Sequence, residues 1–325
     1  MTTVLESAVP PDCATAVVFP GITASSFPEI GRFLLVNPQA RALIAVADET
    51  LGYSVFDGFR AADRAFTEYE RVAFLVTCLA LMEWARRTWD VQPGICVGPS
   101  FGGTAAAVFS GALAFPDAVR LTARWGHCLD TYFARRFSDV VTQSFARIPQ
   151  PELSAILSEL DSEGEWYDVA CYVDEAFSML SVREHRLEWL QRRVRAAGGL
   201  PFYTMRPPMH SPSFGELRQI VERELFGGLR FSDPQIPVVS DHDGRVLRTG
   251  QQIRTLLLDG IVRPVRWPGA MATLKGRGVE KLYVSGPDGL WGRVPCASRA
   301  FEVLGLTPRA ALQPRRRAAL REAQS

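Results

Sequence analysis

The chain has 325 residues, 47% of them hydrophobic, so it can bury a substantial core as one large domain or two of ordinary size. Charged residues make up 22%, spread along the chain to a formal net charge of +1, which leaves no global field to hold nucleic acid or an anionic membrane. Charge interrupts the apolar stretches well short of the roughly 18 to 20 residues a membrane span needs, and residues 1–15 lack the cationic start and apolar core of a signal peptide. The six cysteines (Cys13, Cys78, Cys96, Cys128, Cys171, Cys296) are scattered without a CxxC pair, which speaks against a zinc site and for a reducing cytosol. The expectation is a soluble, cytoplasmic protein with no metal.

In chain order, ATAVVFPG (14–21) reads as a buried strand stopped by Pro20 and Gly21. Residues 67–89 are free of Gly and Pro and apolar on one side, and predict a helix. GICVG, a glycine turn and a small-residue helix follow. Strand, helix, strand in this order argues for parallel βαβ units. From about residue 130 to 203 the character changes: an acidic helix (PELSAILSELDSEGE), the apolar run WYDVACYV, strand-like FSMLSV, a charged helix (REHRLEWLQRRVRAAGG) and LPFYTM. This stretch predicts a small inserted α+β subdomain. Beyond it come PVVSDHDGRV with a DG turn between strands, a helix around QQIRTLLLDGIV, the amphipathic AMATLKGRG, the strand VEKLYVSGP and a basic tail.

Residues 98–102, GPSFG, satisfy G-x-S-x-G. A serine on a sharp strand-to-helix turn takes a strained backbone, and glycines two positions either side relieve the clash. The turn exposes Oγ, and the following helix aims its first N–H groups at a developing oxyanion. With strand and helix flanks, Ser100 reads as a nucleophile. Four histidines are available as its base. His127 follows the nucleophile helix, His185 lies in a charged helix, His242 sits in a turn, and His210 is in the proline-stiffened loop RPPMHSPSF. Loops on rigid scaffolds carry catalytic groups more often than helix faces do, which favours His210. Spacing assigns no third acid; a backbone carbonyl can orient the ring instead.

The ordered segments FPG (19–21), GPSFGG (98–103), FPDAVRL (115–121), MHSPSF (209–214), PVRW (264–267) and VSGPDGLWG (284–292) resemble the malonyl-CoA:acyl-carrier-protein transacylases, including the acyltransferase domains of polyketide synthases. The resemblance runs over nearly the whole chain. It implies an α/β fold: a large α/β-hydrolase-like domain with a parallel sheet (1–129 and 204–325) and a small ferredoxin-like subdomain (130–203). It implies Ser100 as acylated nucleophile, His210 as general base, and backbone N–H groups of Ile22 and Phe101 for the oxyanion. The carbonyl orienting the histidine falls near Gly260. No cofactor of its own is implied, since the acyl group arrives on the phosphopantetheine of a donor carrier protein and leaves on that of an acceptor.

Departures from the family pattern bear on the acyl pocket. Pro99 precedes the serine, Gly103 ends the motif, Ile22 replaces a glutamine, Val173 falls where an asparagine is usual, and the glutamine usual near residue 260 is absent. Malonyl-specific members carry a carboxylate-binding arginine where this chain has Trp125. A carboxylate buried there without its cation loses a charge-assisted fork and keeps its desolvation cost. Arg124 is adjacent, but one helical step turns it about 100° away, and a shift of alignment by one residue makes it the clamp. A pocket without the clamp suits a non-carboxylated acyl group. Stand-alone proteins of this sort resemble the VinK-type dipeptidyl carrier-protein acyltransferases of macrolactam pathways. The alternatives are an acyl hydrolase that clears stalled carriers, a malonyl-CoA:carrier-protein transacylase, and a non-catalytic carrier-binding protein. The last is disfavoured by intact Ser100 and His210. Arg147, Arg206 and Arg293 are candidates for a cationic rim that meets an acidic carrier protein.

Overall fold

A computed structural model describes residues 14–23 and 25–313. Cys13, the signal-peptide reading of residues 1–13 and the end of the basic tail lie outside the described residues. In chain order the strands are β1 (Thr15–Val18), β2 (Ile95–Val97), β3 (Val140–Ala146), β4 (Tyr167–Asp174), β5 (Phe177–Arg183) and β6 (Leu200–Met205). They continue with β7 (Val238–Val239), β8 (Val246–Leu247), β9 (Val265–Arg266), β10 (Lys281–Ser285) and β11 (Glu302–Leu306).

Six strands form one sheet in the order β11-β10-β1-β2-β7-β8, parallel except for the β7–β8 hairpin. Its central strands are short and apolar, TAVV and ICV, and almost wholly buried, as parallel strands covered by helices on both faces must be. The helix expected over 67–89 runs Glu68–Trp89, with Thr67 capping it by accepting the Glu70 N–H at 3.2 Å. It is not apolar on one side only. Every residue from Glu70 to Met82 is buried, because the helix is enclosed between the sheet and the helices Pro38–Leu51 and Phe115–Arg135. Ser285 Oγ–H donates to the Cys78 carbonyl at 2.7 Å and ties this helix to the end of β10.

The second sheet has the order β6-β3-β5-β4-β9. Strand β3, a helix (Gln150–Ser162), β4, β5, a helix (Glu184–Ala196) and β6 follow each other as β-α-β-β-α-β, the ferredoxin-like order. The two helices bury Leu153, Ile156, Leu160, Leu190 and Val194 against Phe145, Leu180 and Val182. Positions 130 and 203 themselves fall inside the helix Phe115–Arg135 and inside β6. The fifth strand, β9, comes from far along the chain and pairs with β4 in parallel through Cys171↔Val265 and Tyr172↔Arg266. Among the described residues no helix is long and apolar enough to cross a membrane.

Candidate active site

Neighbouring parallel strands end on one side of the large sheet, the usual place for a ligand in an open α/β fold. Strand β1 leads into Gly21 and Ile22, β2 into Ser100, β7 into Asp241, and β10 into Leu290 and Trp291. At the end of β2 the chain reverses into the helix Gly102–Phe109, leaving Ser100 in the left-handed region at φ 54. A Cβ on Gly98 would run into the Gly102 backbone, and one on Gly102 into the Phe19 carbonyl. Both glycines of the motif are therefore needed for the sharp turn.

His210 also has a left-handed backbone, φ 64, and its Nε2 lies 2.9 Å from Ser100 Oγ. The loop is held on both sides by the next residue: the Ser211 N–H donates to the Ile261 carbonyl at 3.1 Å, and its hydroxyl donates to Asp168 on β4. Part of His210 reaches the cavity, but Nδ1 is closed off from solvent. Burial pulls the imidazole pKa down to about 4, opposed by the Asp241 charge, reinforced by His242, and opposed again by the backbone of Gly260 and Arg263. Those backbone groups lie near the ring, yet none closes on Nδ1 at hydrogen-bond geometry. The imidazole is neutral at pH 7, with Nε2 in place to take the Ser100 proton. Of the other histidines, His127 and His185 are exposed on helices, and His242 is buried against Asp241 at 3.4 Å.

Asp241 was not legible as a site residue, and it is 3% exposed. Its Oδ2 accepts the Ser100 backbone N–H at 2.8 Å. The N–H groups of Ile22 and Phe101, by contrast, donate to no acceptor among the described residues. Both residues line the same cavity as Ser100. Two free backbone donors beside a serine can hold an oxyanion.

That cavity measures about 590 Å³. Trp125 and Gly260 line it, as expected of the acyl pocket, while Arg124 one step along the helix is exposed to solvent and does not. Two pocket expectations are corrected. Pro99 is buried under the turn, where its carbonyl accepts the Gly102 N–H at 3.0 Å. Val173 is fully buried in the core with Trp267 and Val265. Irregular pairing of β4 with β5 between Val169 and Cys171 brings Ala170 and Cys171 to the cavity wall instead. Of the rim candidates, Arg206 lines the cavity mouth and pairs with Glu184 at 2.5 Å. Arg147 at the end of β3 and Arg293 beyond Trp291 are exposed and outside the cavity lining.

Sequence reading also missed Arg71. It lines the cavity, is only 7% exposed, and has no carboxylate within salt-bridge distance among the described residues. Its one visible signal is its place at the border between the charged first turn, Glu68 to Glu70, and the apolar run that follows.

Residues 144–205 match the family model of the VinK acyltransferase small domain. Over 284 residues the chain is 25% identical to the malonyl CoA-acyl carrier protein transacylase of Escherichia coli (strain K12), covering 84% of this chain and 88% of that one. The transacylase of Coxiella burnetii superposes with a TM-score of 0.79 at 21% identity, over 94% of this chain and 97% of its own. A type II polyketide synthase malonyl-transacylase, solved with its acyl carrier protein, gives 0.79 at 20% identity over 91% and 97%. Fold, site and relatives define an enzyme, an acyltransferase. The chain is similar to the malonyl CoA-acyl carrier protein transacylases, and its residues 144–205 are similar to the small domain of the VinK acyltransferases.

Proposed function

We propose that this acyltransferase moves a non-carboxylated acyl group, aminoacyl or dipeptidyl, between the phosphopantetheine thioesters of two carrier proteins in macrolactam polyketide biosynthesis in the cytoplasm. Ser100 Oγ attacks the thioester carbonyl while His210 Nε2 takes its proton. The oxyanion of the tetrahedral intermediate is held by the Ile22 and Phe101 N–H groups. The C–S bond breaks, the departing thiolate takes the proton from His210, and an acyl ester remains on Ser100. A second phosphopantetheine thiol, deprotonated by His210, attacks that ester, and the proton returns to Ser100. The enzyme needs no cofactor of its own, because the carrier brings the thioester. Exposed Arg147, Arg206 and Arg293 offer an acidic carrier its docking charge.

The observation that carries the choice of acyl group is Trp125 in the cavity wall, with Arg124 turned to solvent. The relatives' names support transfer to a carrier protein. The test is intact mass of the protein after incubation with carrier thioesters bearing aminoacyl, dipeptidyl and malonyl groups, followed by an acceptor carrier. A dipeptidyl adduct that passes to the acceptor supports the reading. A preference for malonyl overturns the acyl class, and loss of the adduct to water alone makes the enzyme a hydrolase. Ser100→Ala forms no adduct.

A further inference from the structure

Arg71 sits in the acyl cavity as a guanidinium without an anionic partner. The helix Glu68–Trp89 carries it under the loop before that helix, where its Nε–H donates to the Phe66 carbonyl at 3.0 Å. Phe66 itself holds a left-handed backbone, φ 59, secured by its N–H on the Glu70 carboxylate, and its ring lies 5.9 Å from the guanidinium. Phe66, Ser100 and His210 are thus three strained non-glycine residues lining one cavity. Such strain gathers where a surrounding structure must hold a group in place for a ligand.

Nε is satisfied, but the two terminal nitrogens donate to no acceptor among the described residues. Neither is among the buried side-chain atoms closed off from the cavity. A nearly buried guanidinium with open donors carries a desolvation cost that the nearby Asp130 and Glu70 charges offset only in part. Its place is also specific. A Cβ on Gly126 would come within 3.1 Å of Arg71 Nε, close enough to press on the guanidinium. A cation therefore lines the same cavity as Trp125, delivered by a different helix.

We propose that Arg71 is a specificity-determining residue of the acyl pocket. Its terminal N–H groups donate to an oxygen that the acyl chain carries beyond the thioester carbonyl. The inference rests on the acyl-transfer reading above, under which that oxygen is an amide carbonyl. The guanidinium is planar and, with Nε engaged, keeps an edge of parallel N–H donors on its two terminal nitrogens, so it selects chains bearing such an acceptor over plain hydrocarbon chains of the same length. Glu70 and Asp130 lie close enough to temper its charge, which suits a neutral carbonyl.

The experiment measures single-turnover acylation of Ser100 from three pantetheine thioesters of matched length: an alkanoyl chain, a chain with an internal amide, and a chain ending in carboxylate. Wild-type, Arg71→Met, Arg71→Lys and Gly126→Ala proteins are compared after a thermal melt shows each is folded. The amide chain is expected to acylate wild type faster than the alkanoyl chain. Arg71→Met should remove about ten- to a hundredfold of kcat/KM for the amide chain, mainly through KM, and leave the alkanoyl chain unchanged. Arg71→Lys should recover part of the loss, and Gly126→Ala should act on the amide chain alone. Equal loss on all three thioesters, or none, overturns the proposal. An Arg71-dependent preference for the carboxylate chain keeps the residue's role and overturns the proposed acyl class instead. No adduct from any thioester removes the acyl-transfer reading, and this inference with it.

Discussion

The Asp241 carboxylate accepts the Ser100 backbone N–H, not a proton of the His210 ring. An acid that would complete a triad in other serine enzymes here fixes the nucleophile's turn, and acts on the base only through its charge. Asp241→Asn keeps an acceptor oxygen and removes the charge, so it should preserve the fold while weakening the base further. Asp241→Ala strands a buried N–H and should cost about 1 to 3 kcal/mol of stability. Chemical denaturation of both variants, with the acylation rate of Asp241→Asn, checks the separation.

His210 dictates the acid limb of the reaction. With its pKa near 4 in the folded protein, acylation from a small pantetheine thioester should stay level from pH 8 down to about 5 and fall only below that. A limb centred near 6.5 would show that the base is not this buried imidazole. The sign for stability follows from the same shift. The unfolded chain takes up the proton first, so stability present above pH 6.5 is lost as the pH falls toward 4. His210→Gln should flatten that part of the stability profile.

The glycines of the turn admit no side chain. Gly102→Ala drives a Cβ into the Phe19 carbonyl at the end of the neighbouring strand. It should cost about 3 kcal/mol or more and abolish acylation of Ser100 in whatever folds. Gly289→Ala, where an added Cβ meets open space, is the control expected to change neither stability nor rate.

Under the proposed function, Trp125 shapes the acyl preference. Trp125→Arg should raise acylation by malonyl thioesters relative to neutral ones, read as the ratio of adduct rates by intact mass. A wild-type protein already faster with malonyl would remove the basis for this substitution.

Exposed charge outside the cavity should matter only for a protein donor. Arg147→Glu and Arg293→Glu should slow transfer from a carrier-bound thioester, more so at low salt, and leave acylation by the pantetheine thioester as it is. Loss with both donors would assign these arginines to the fold.

The sharp turn at Ser100 was legible because G-x-S-x-G states a local steric fact that Gly98 and Gly102 obey. The strands β1, β2 and β10 were legible as short apolar runs between turns, and the helices of the second sheet as one acidic and one charged stretch. Asp241 was not, since 141 residues separate it from the N–H it binds and only the β2–β7 pairing brings them together. Strand β3 escaped because VVTQSFA is buried on both faces, which hides the alternation that marks a half-exposed strand. Val173 was placed in the pocket by alignment with the family's usual asparagine, and the irregular pairing of β4 turns Ala170 and Cys171 to the cavity instead. Arg71 looked like an ordinary charge on a helix until the helix proved to be enclosed.

The Ser211 anchors have a mechanical consequence. Ser100 is fastened to the large sheet, whereas the loop of His210 is tied by Ser211 both to the Ile261 carbonyl and to Asp168 on the small sheet. The 2.9 Å gap between Oγ and Nε2 therefore acts as a caliper across the seam between the sheets. A displacement of the small sheet against the large one would change that gap without touching either residue.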